Sequence, residues 1–143
     1  MKITEEQKQE QAREKFFNFL LKKPCTFRQA EEYLSHCEIP EELKKLLLTE
    51  AKSMSLVDDL VYAKLFVDGH LTWGNAKIIY ELSAKGISRE KINEALDEAE
   101  DEASRAREVS KGWQNLGLDK RKIINRLLSR GFSHKAASSV FEK

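Results

Sequence analysis

Cysteine is scarce in this chain, with only Cys25 and Cys37 among 143 residues. Two thiols cannot make a disulfide framework. Together with His36 they offer three metal donors, short of the closed set of four that structural zinc takes. Neither metal nor cofactor is expected. Proline (two) and glycine (six) are also few, so the chain has little to interrupt helices. No apolar run approaches the roughly 18 residues of a membrane-crossing helix, and no secretory signal is recognisable. A cytoplasmic protein that spans no membrane is the expectation. No Gly-rich loop cradles phosphate; the glycines punctuate helical patterns. His36, His70 and His134 lie far apart and outside any nucleophile or metal motif, so no catalytic constellation forms and an enzyme is not expected. The acidic run over 97–102 reads either as a solvated helix face or as a cation site, with the carboxylates fanned around the axis favouring the former.

What the chain has instead is charge and helical period. Charged residues make up 34% and apolar residues 41%, and the apolar ones are patterned, which argues against disorder. The abundance of Glu, Lys, Leu and Ala predicts an all-α fold. Thr4-x-x-Gln7 and Thr26-x-x-Gln29 are capping boxes, opening helices to about Lys23 and His36. Pro24 ends the first of these. Pro40 opens a third helix to about Met54. Asp58 caps a helix over 59–71, and the segment 69–74 reads as a turn. Asn75–Lys85 follows, stopped by Gly86. Ser88 then caps a helix with no stop signal before Gly112, so 89–115 is read as one long helix with a kink near Gly112. Leu116–Leu118 is a turn, and a last helix runs from Ser133 to about Glu142.

Net charge is +1, but it is unevenly spread. Residues 1–58 hold 10 Lys/Arg against 11 Asp/Glu, residues 59–103 hold 5 against 10, and residues 104–143 hold 10 against 3. The C-terminal third is strongly basic. Its centre is Asp119–Lys135, DKRKIINRLLSRGFSHK. Ile123, Ile124, Leu127 and Leu128 form the apolar stripe of a helix. Beside them Lys122, Arg126 and Arg130 recur every four residues. Like charges at that spacing cost a few tenths of a kcal/mol per pair. The row is either a solvated face or the footprint of an anionic partner. Trp73 and Trp113 have two readings as well: packing between helical units, or stacking on a nucleobase.

The same stretch occurs three times in weakening form. About 45 residues upstream, Lys122, Leu127, Gly131 and Phe132 become Lys77, Leu82, Gly86 and Ile87. About 48 further back, Leu82, Ile87, Ala95 and Leu96 become Leu34, Ile39, Leu47 and Leu48. This period lies in the range of helical repeat modules. The reading is three tandem three-helix repeats over 1–55, 56–103 and 104–143, forming one elongated, curved array. Apolar positions recur in all copies, whereas the basic row builds toward the C-terminus.

These residues also carry a family resemblance. Leu56-Val57-Asp58-Asp59 followed by Val61-Tyr62-Ala63, then Gly74, Lys77-Ile78, Glu81-Leu82, Lys85-Gly86-Ile87 and later Leu127-Leu128-Ser129-Arg130-Gly131-Phe132-Ser133 resemble the RecX regulatory proteins. The resemblance covers most of 25–142. It departs at Asp68–Trp73, which lacks the Arg or Lys common in that family, and at Cys37-Glu38, where Lys-Gly is usual. It implies tandem three-helix repeats. It also implies binding to the RecA recombinase, notably its filament on single-stranded DNA, and restraint of its ATPase, recombinase and co-protease activities. The rival is a nucleic-acid-binding helical module with no recombinase partner. The residues expected to meet DNA phosphates or filament are Lys77, Lys85, Arg105, Arg107, Lys111, Lys120, Arg121, Lys122, Arg126, Arg130 and Lys135. Such contacts are salt-sensitive and do not read sequence. The chain is expected to act as a monomer.

Overall fold

Side-chain caps set most of the helix starts among the described residues, those after Pro40 and Gly74 excepted. The structure, a computed structural model, describes residues 3–142. Helix α1 (Glu5–Lys22) opens on a complete capping box: Gln7 N–H donates to Thr4 Oγ1 at 3.1 Å, and Thr4 N–H to Gln7 Oε1 at 3.0 Å. Helix α2 (Phe27–Ser35) repeats the device with Thr26 and Gln29. Helix α3 (Glu41–Ser53) starts after Pro40. Helix α4 (Asp59–Asp68) is capped by Asp58, whose carboxylate accepts from Leu60 and Val61 N–H. Helices α5 (Asn75–Ala84), α6 (Arg89–Glu98), α7 (Glu102–Asn115), α8 (Lys120–Ser129) and α9 (His134–Ser139) follow. Among the described residues there is no strand, only an isolated bridge between Cys25 and Val57. The all-α repeat fold read from the sequence is what the chain adopts.

Each three-helix set buries its middle helix through one recurring position. Leu34, Leu82 and Leu127 are 1%, 0% and 0% exposed. A fully buried leucine is worth about 1.5–3 kcal/mol, so the recurrence drives the fold rather than decorating it. Two compact units result, residues 1–62 and 63–143, and α4 passes from one to the other. The first is cored by Phe16, Leu20, Leu34, Leu47 and Ala51. Phe19, off the main apolar face of α1, stacks on Tyr33 at 4.4 Å between ring centroids. In the second unit, Ala106, Ile123, Leu127 and Phe132 form the core of α7–α9, and Ile78, Leu82 and Ile92 of α5 and α6 are buried as well.

The long helix expected over 89–115 is two helices. Helix α6 stops at Glu98, Ala99 turns extended (φ −87°, ψ 165°), and α7 restarts at Glu102. Asp101 makes the new start, its carboxylate accepting from Ser104 N–H at 2.7 Å. The restart needs no Gly or Pro, because an Asp cap satisfies an amide that helix continuation would otherwise satisfy. Helix α7 then runs through Gly112 to Asn115. Two further helices are shorter than expected: α4 ends at Asp68 rather than 71, and α9 at Ser139.

Candidate functional site

Helix α8 is built to present cations at its exposed side and C-terminal end. Asp119 caps it, accepting from Lys122 N–H at 2.9 Å. Ile123 and Leu127 face the core, leaving Lys120, Arg121, Lys122 and Arg126 exposed and Arg130 half-buried at the C-cap. Cations near a helix C-terminus are stabilised by the macrodipole, so Arg130 and Lys85, each at a C-cap, have a structural reason as well.

Two of the row converge on one ring. The guanidinium carbons of Arg126 and Arg130 lie 5.4 Å and 5.2 Å from the Trp113 ring centroid. Such cation–π contacts contribute about 0.5–1 kcal/mol each at exposed sites. They also narrow the rotamers of two long side chains. A parallel pair lies on α5, where the Lys77 ammonium sits 4.1 Å from the Trp73 ring centroid. Trp73 is also tilted against His70 at 4.4 Å, which in turn stacks on Phe66 at 3.9 Å. Both tryptophans therefore already carry cations of their own chain, and neither is a vacant stacking platform. Lys120 sits 5.5 Å over Phe141.

One member of each cation–tryptophan group lies next to a backbone crossing. Gly74 N–H donates to Arg130 O at 2.8 Å, and Ala76 N–H to Gly131 O at 3.2 Å. A Cβ on Gly131 would lie 2.6 Å from Lys77 Cβ. The crossing fixes the segment that carries Trp73 and Lys77 beside the one that carries Arg130.

The remaining candidates divide by partner. Arg121, Lys122 and Lys135 are exposed and have no ion-pair partner among the described residues. Arg107 donates to Ser104 Oγ at 3.0 Å. Lys111 is paired with Glu108 at 2.8 Å on the same helix. Arg105 leaves the surface set altogether: it is 3% exposed. Its guanidinium donates to Glu100 O at 3.0 Å, to Trp73 O and to Asn75 Oδ1. Burial pulls this guanidinium below its ordinary range, with the carboxylates of Glu102, Asp101 and Glu100 acting the other way.

Sequence reading did not find Glu102. This first residue of α7 accepts from Asn75 N–H at 2.6 Å, from Ser133 N–H at 3.2 Å and from Ser133 Oγ–H at 2.7 Å. One carboxylate thus satisfies the starts of α5 and α9. A signal did exist: Asp59 opens α4 and accepts from Phe27 N–H, the first residue of α2, at 2.8 Å. An acid at the first position of one helix reaching the first amide of another recurs about 43 residues later. Among the described residues no cluster of His, Cys, Asp and Glu could hold a metal, and no helix is long and apolar enough to cross a membrane.

Comparison with known proteins gives these geometries a context. Residues 58–96 match the model of the RecX second three-helix domain. The regulatory protein RecX of Streptomyces coelicolor is 32% identical over 142 residues, covering 92% of this chain and 76% of that protein. That of Lactobacillus delbrueckii subsp. bulgaricus is 32% identical over 133 residues, covering 85% of this chain. The chain spans about half the length of the Lactobacillus relative, 49%. The fold matches the crystal structure of RecX from Lactobacillus salivarius with a TM-score of 0.82, at 20% identity, over 94% of this chain and 95% of that one.

Proposed function

The chain belongs to the RecX family, and on that premise we propose that it regulates the RecA recombinase by binding the RecA filament on single-stranded DNA and restraining its ATPase and recombinase activities. The reading has it acting as a cytoplasmic monomer of three helical repeats. The observation that carries it is the seating of Arg126 and Arg130 on Trp113 with no carboxylate partner among the described residues. Arginines held on an indole are restrained yet uncompensated. They suit phosphate oxygens or an acidic protein surface. With Lys122, one turn before Arg126 on the same side of α8, they form a face that neutralises charge without reading base edges.

Titrating the chain into RecA hydrolysing ATP on single-stranded DNA tests the proposal. Hydrolysis falls as the chain approaches stoichiometry, and Lys122→Glu/Arg126→Glu/Arg130→Glu gives back most of the lost rate while keeping its helicity. Unchanged hydrolysis at stoichiometric excess of the wild-type chain would overturn it. DNA binding that persists with no effect on RecA would leave a nucleic-acid-binding module instead.

A further inference from the structure

Both compact units use an acid at a helix start to reach another helix start, and the second adds a further segment and a buried arginine at the same place. In the first unit, Asp59 accepts one amide, that of Phe27. In the second, Glu102 accepts from two segments, those opening α5 and α9. The α5 start is the one that needs it, because its N-cap Gly74 has no side chain to cap with. One turn further along α7, Arg105 is sunk to 3% exposure to hold Trp73 O and Asn75 Oδ1. A buried guanidinium carries a desolvation penalty, and in some proteins such a group is retained because its bonds fix one arrangement over others. The first unit's further side-chain tie, Arg13 of α1 to Glu50 of α3, lies away from the helix starts. The additional bonds of the second unit occur where the cations gather.

The segments so tied are those that carry the cations. Glu102 and Arg105 hold Trp73 to Asn75 from one side, and Gly74 N–H is bonded to Arg130 O from the other. Lys77 rests on Trp73, and Arg130 on Trp113. Helix α7 itself supplies both Glu102 at its start and Trp113 near its end. Moving the first turn of α7 relative to α5 therefore moves Lys77 relative to the α8 arginines.

Building on the anion-binding face of the proposed function, we infer that Glu102 and Arg105 are positioning residues. They hold Lys77 of α5 in register with Arg126 and Arg130 of α8 as one phosphodiester-binding surface. Lys77 engages a phosphate of the same strand only while the register holds. The strand's bases are not stacked on the two indoles, which their own chain's cations occupy.

The slope of log affinity against log salt tests this, because it counts the phosphates neutralised together, about 0.7 per phosphate for single strands. The full chain is titrated against a fluorescein-labelled oligodeoxythymidylate by anisotropy over a salt series. Lys77→Gln makes the slope shallower by about 0.7. Glu102→Ala makes it shallower by the same amount although it removes no cation, and the double variant loses nothing more. Glu102→Gln, which keeps an acceptor oxygen, falls between wild type and Glu102→Ala. If Glu102→Ala lowers affinity at an unchanged slope, or if its slope loss adds in full to that of Lys77→Gln, the residue is only structural and the inference is overturned. Should circular dichroism show Glu102→Ala unfolded, the same cycle with Glu102→Gln decides between those outcomes. A wild-type titration without salt dependence would instead overturn the anion-binding reading beneath it, so the two failures are distinguishable.

Discussion

A side chain at Gly74 would have nowhere to go: a Cβ there would sit 2.0 Å from Phe132 N and 2.1 Å from Gly131 C. Those are backbone atoms, which cannot swing aside. Gly131 is doubly constrained, with φ at +94° and Lys77 against it. Gly112, inside α7, meets nothing within 4 Å. Opposite outcomes follow for one chemical change. Gly74→Ala costs about 2–4 kcal/mol in urea unfolding, whereas Gly112→Ala stabilises by about 0.5–1 kcal/mol by removing backbone freedom from the unfolded chain. Equal effects from the two would refute the crossing. The other residue-scale test is pH. The side-chain hydrogen bond from Arg13 holds the Glu50 carboxyl below its ordinary 4.5. A carboxylate depressed in the folded state binds fewer protons folded than unfolded. It stabilises fully above its unfolded pKa, and that contribution is lost as pH falls through the folded one. The melting temperature accordingly drops as pH falls below the ordinary carboxylate range, and Glu50→Gln shows a shallower drop. Parallel curves for the two proteins would show that the Arg13–Glu50 bond is not felt in stability.

At the scale of elements, the break between α6 and α7 decides what α7 can do. Had the chain run on as one helix through 99–101, Glu102 would sit mid-helix with its backbone amide committed, and no helix start would lie there to meet those of α5 and α9. The Ser104 backbone N–H, with the Ser104 side chain second, holds the Asp101 carboxyl below its ordinary range, as expected of a working cap. Asp101→Ala is expected to destabilise the first turn of α7. Amide exchange should report the loss as fraying confined to the first turn of α7. Uniformly faster exchange along α6 and α7 together would mean that the two helices behave as one after all.

At the scale of the whole molecule, net charge misleads. A chain of +1 with a sequence pI near 7.7 would pass a polyanion column at neutral pH if its charges were mixed. Here residues 104–143 carry 10 Lys/Arg against 3 Asp/Glu while residues 59–103 carry 5 against 10. Local potential, not the total, governs association with a charged partner. The chain should be retained on phosphocellulose at low salt, and Lys122→Glu/Arg126→Glu/Arg130→Glu should elute earlier. Passage of the wild-type chain in the flow-through would contradict a usable cationic face.

Helix class, the caps at Thr4, Thr26, Asp58 and Ser88, and the thrice-used buried leucine could be read directly from the residue order, whereas the Asp101 cap was missed. They are local: a capping box spans four residues, and helical period shows within a few turns. The cationic candidates were legible as a cluster for the same reason, since six of them lie within 120–135. What the order of residues left open was which cations stay outside. Arg105 and Arg107 look alike in sequence, yet one is buried under Trp73 and Asn75 and the other is exposed. That choice depends on carbonyl and amide groups some 30 residues away that only folding brings near. So does the role of Glu102, whose partners come from 75 and 133, and so does the closeness of Gly74 to Gly131. Local chemistry is written in neighbouring residues, but the partner of a buried charge is set by three-dimensional proximity, which tertiary packing alone determines.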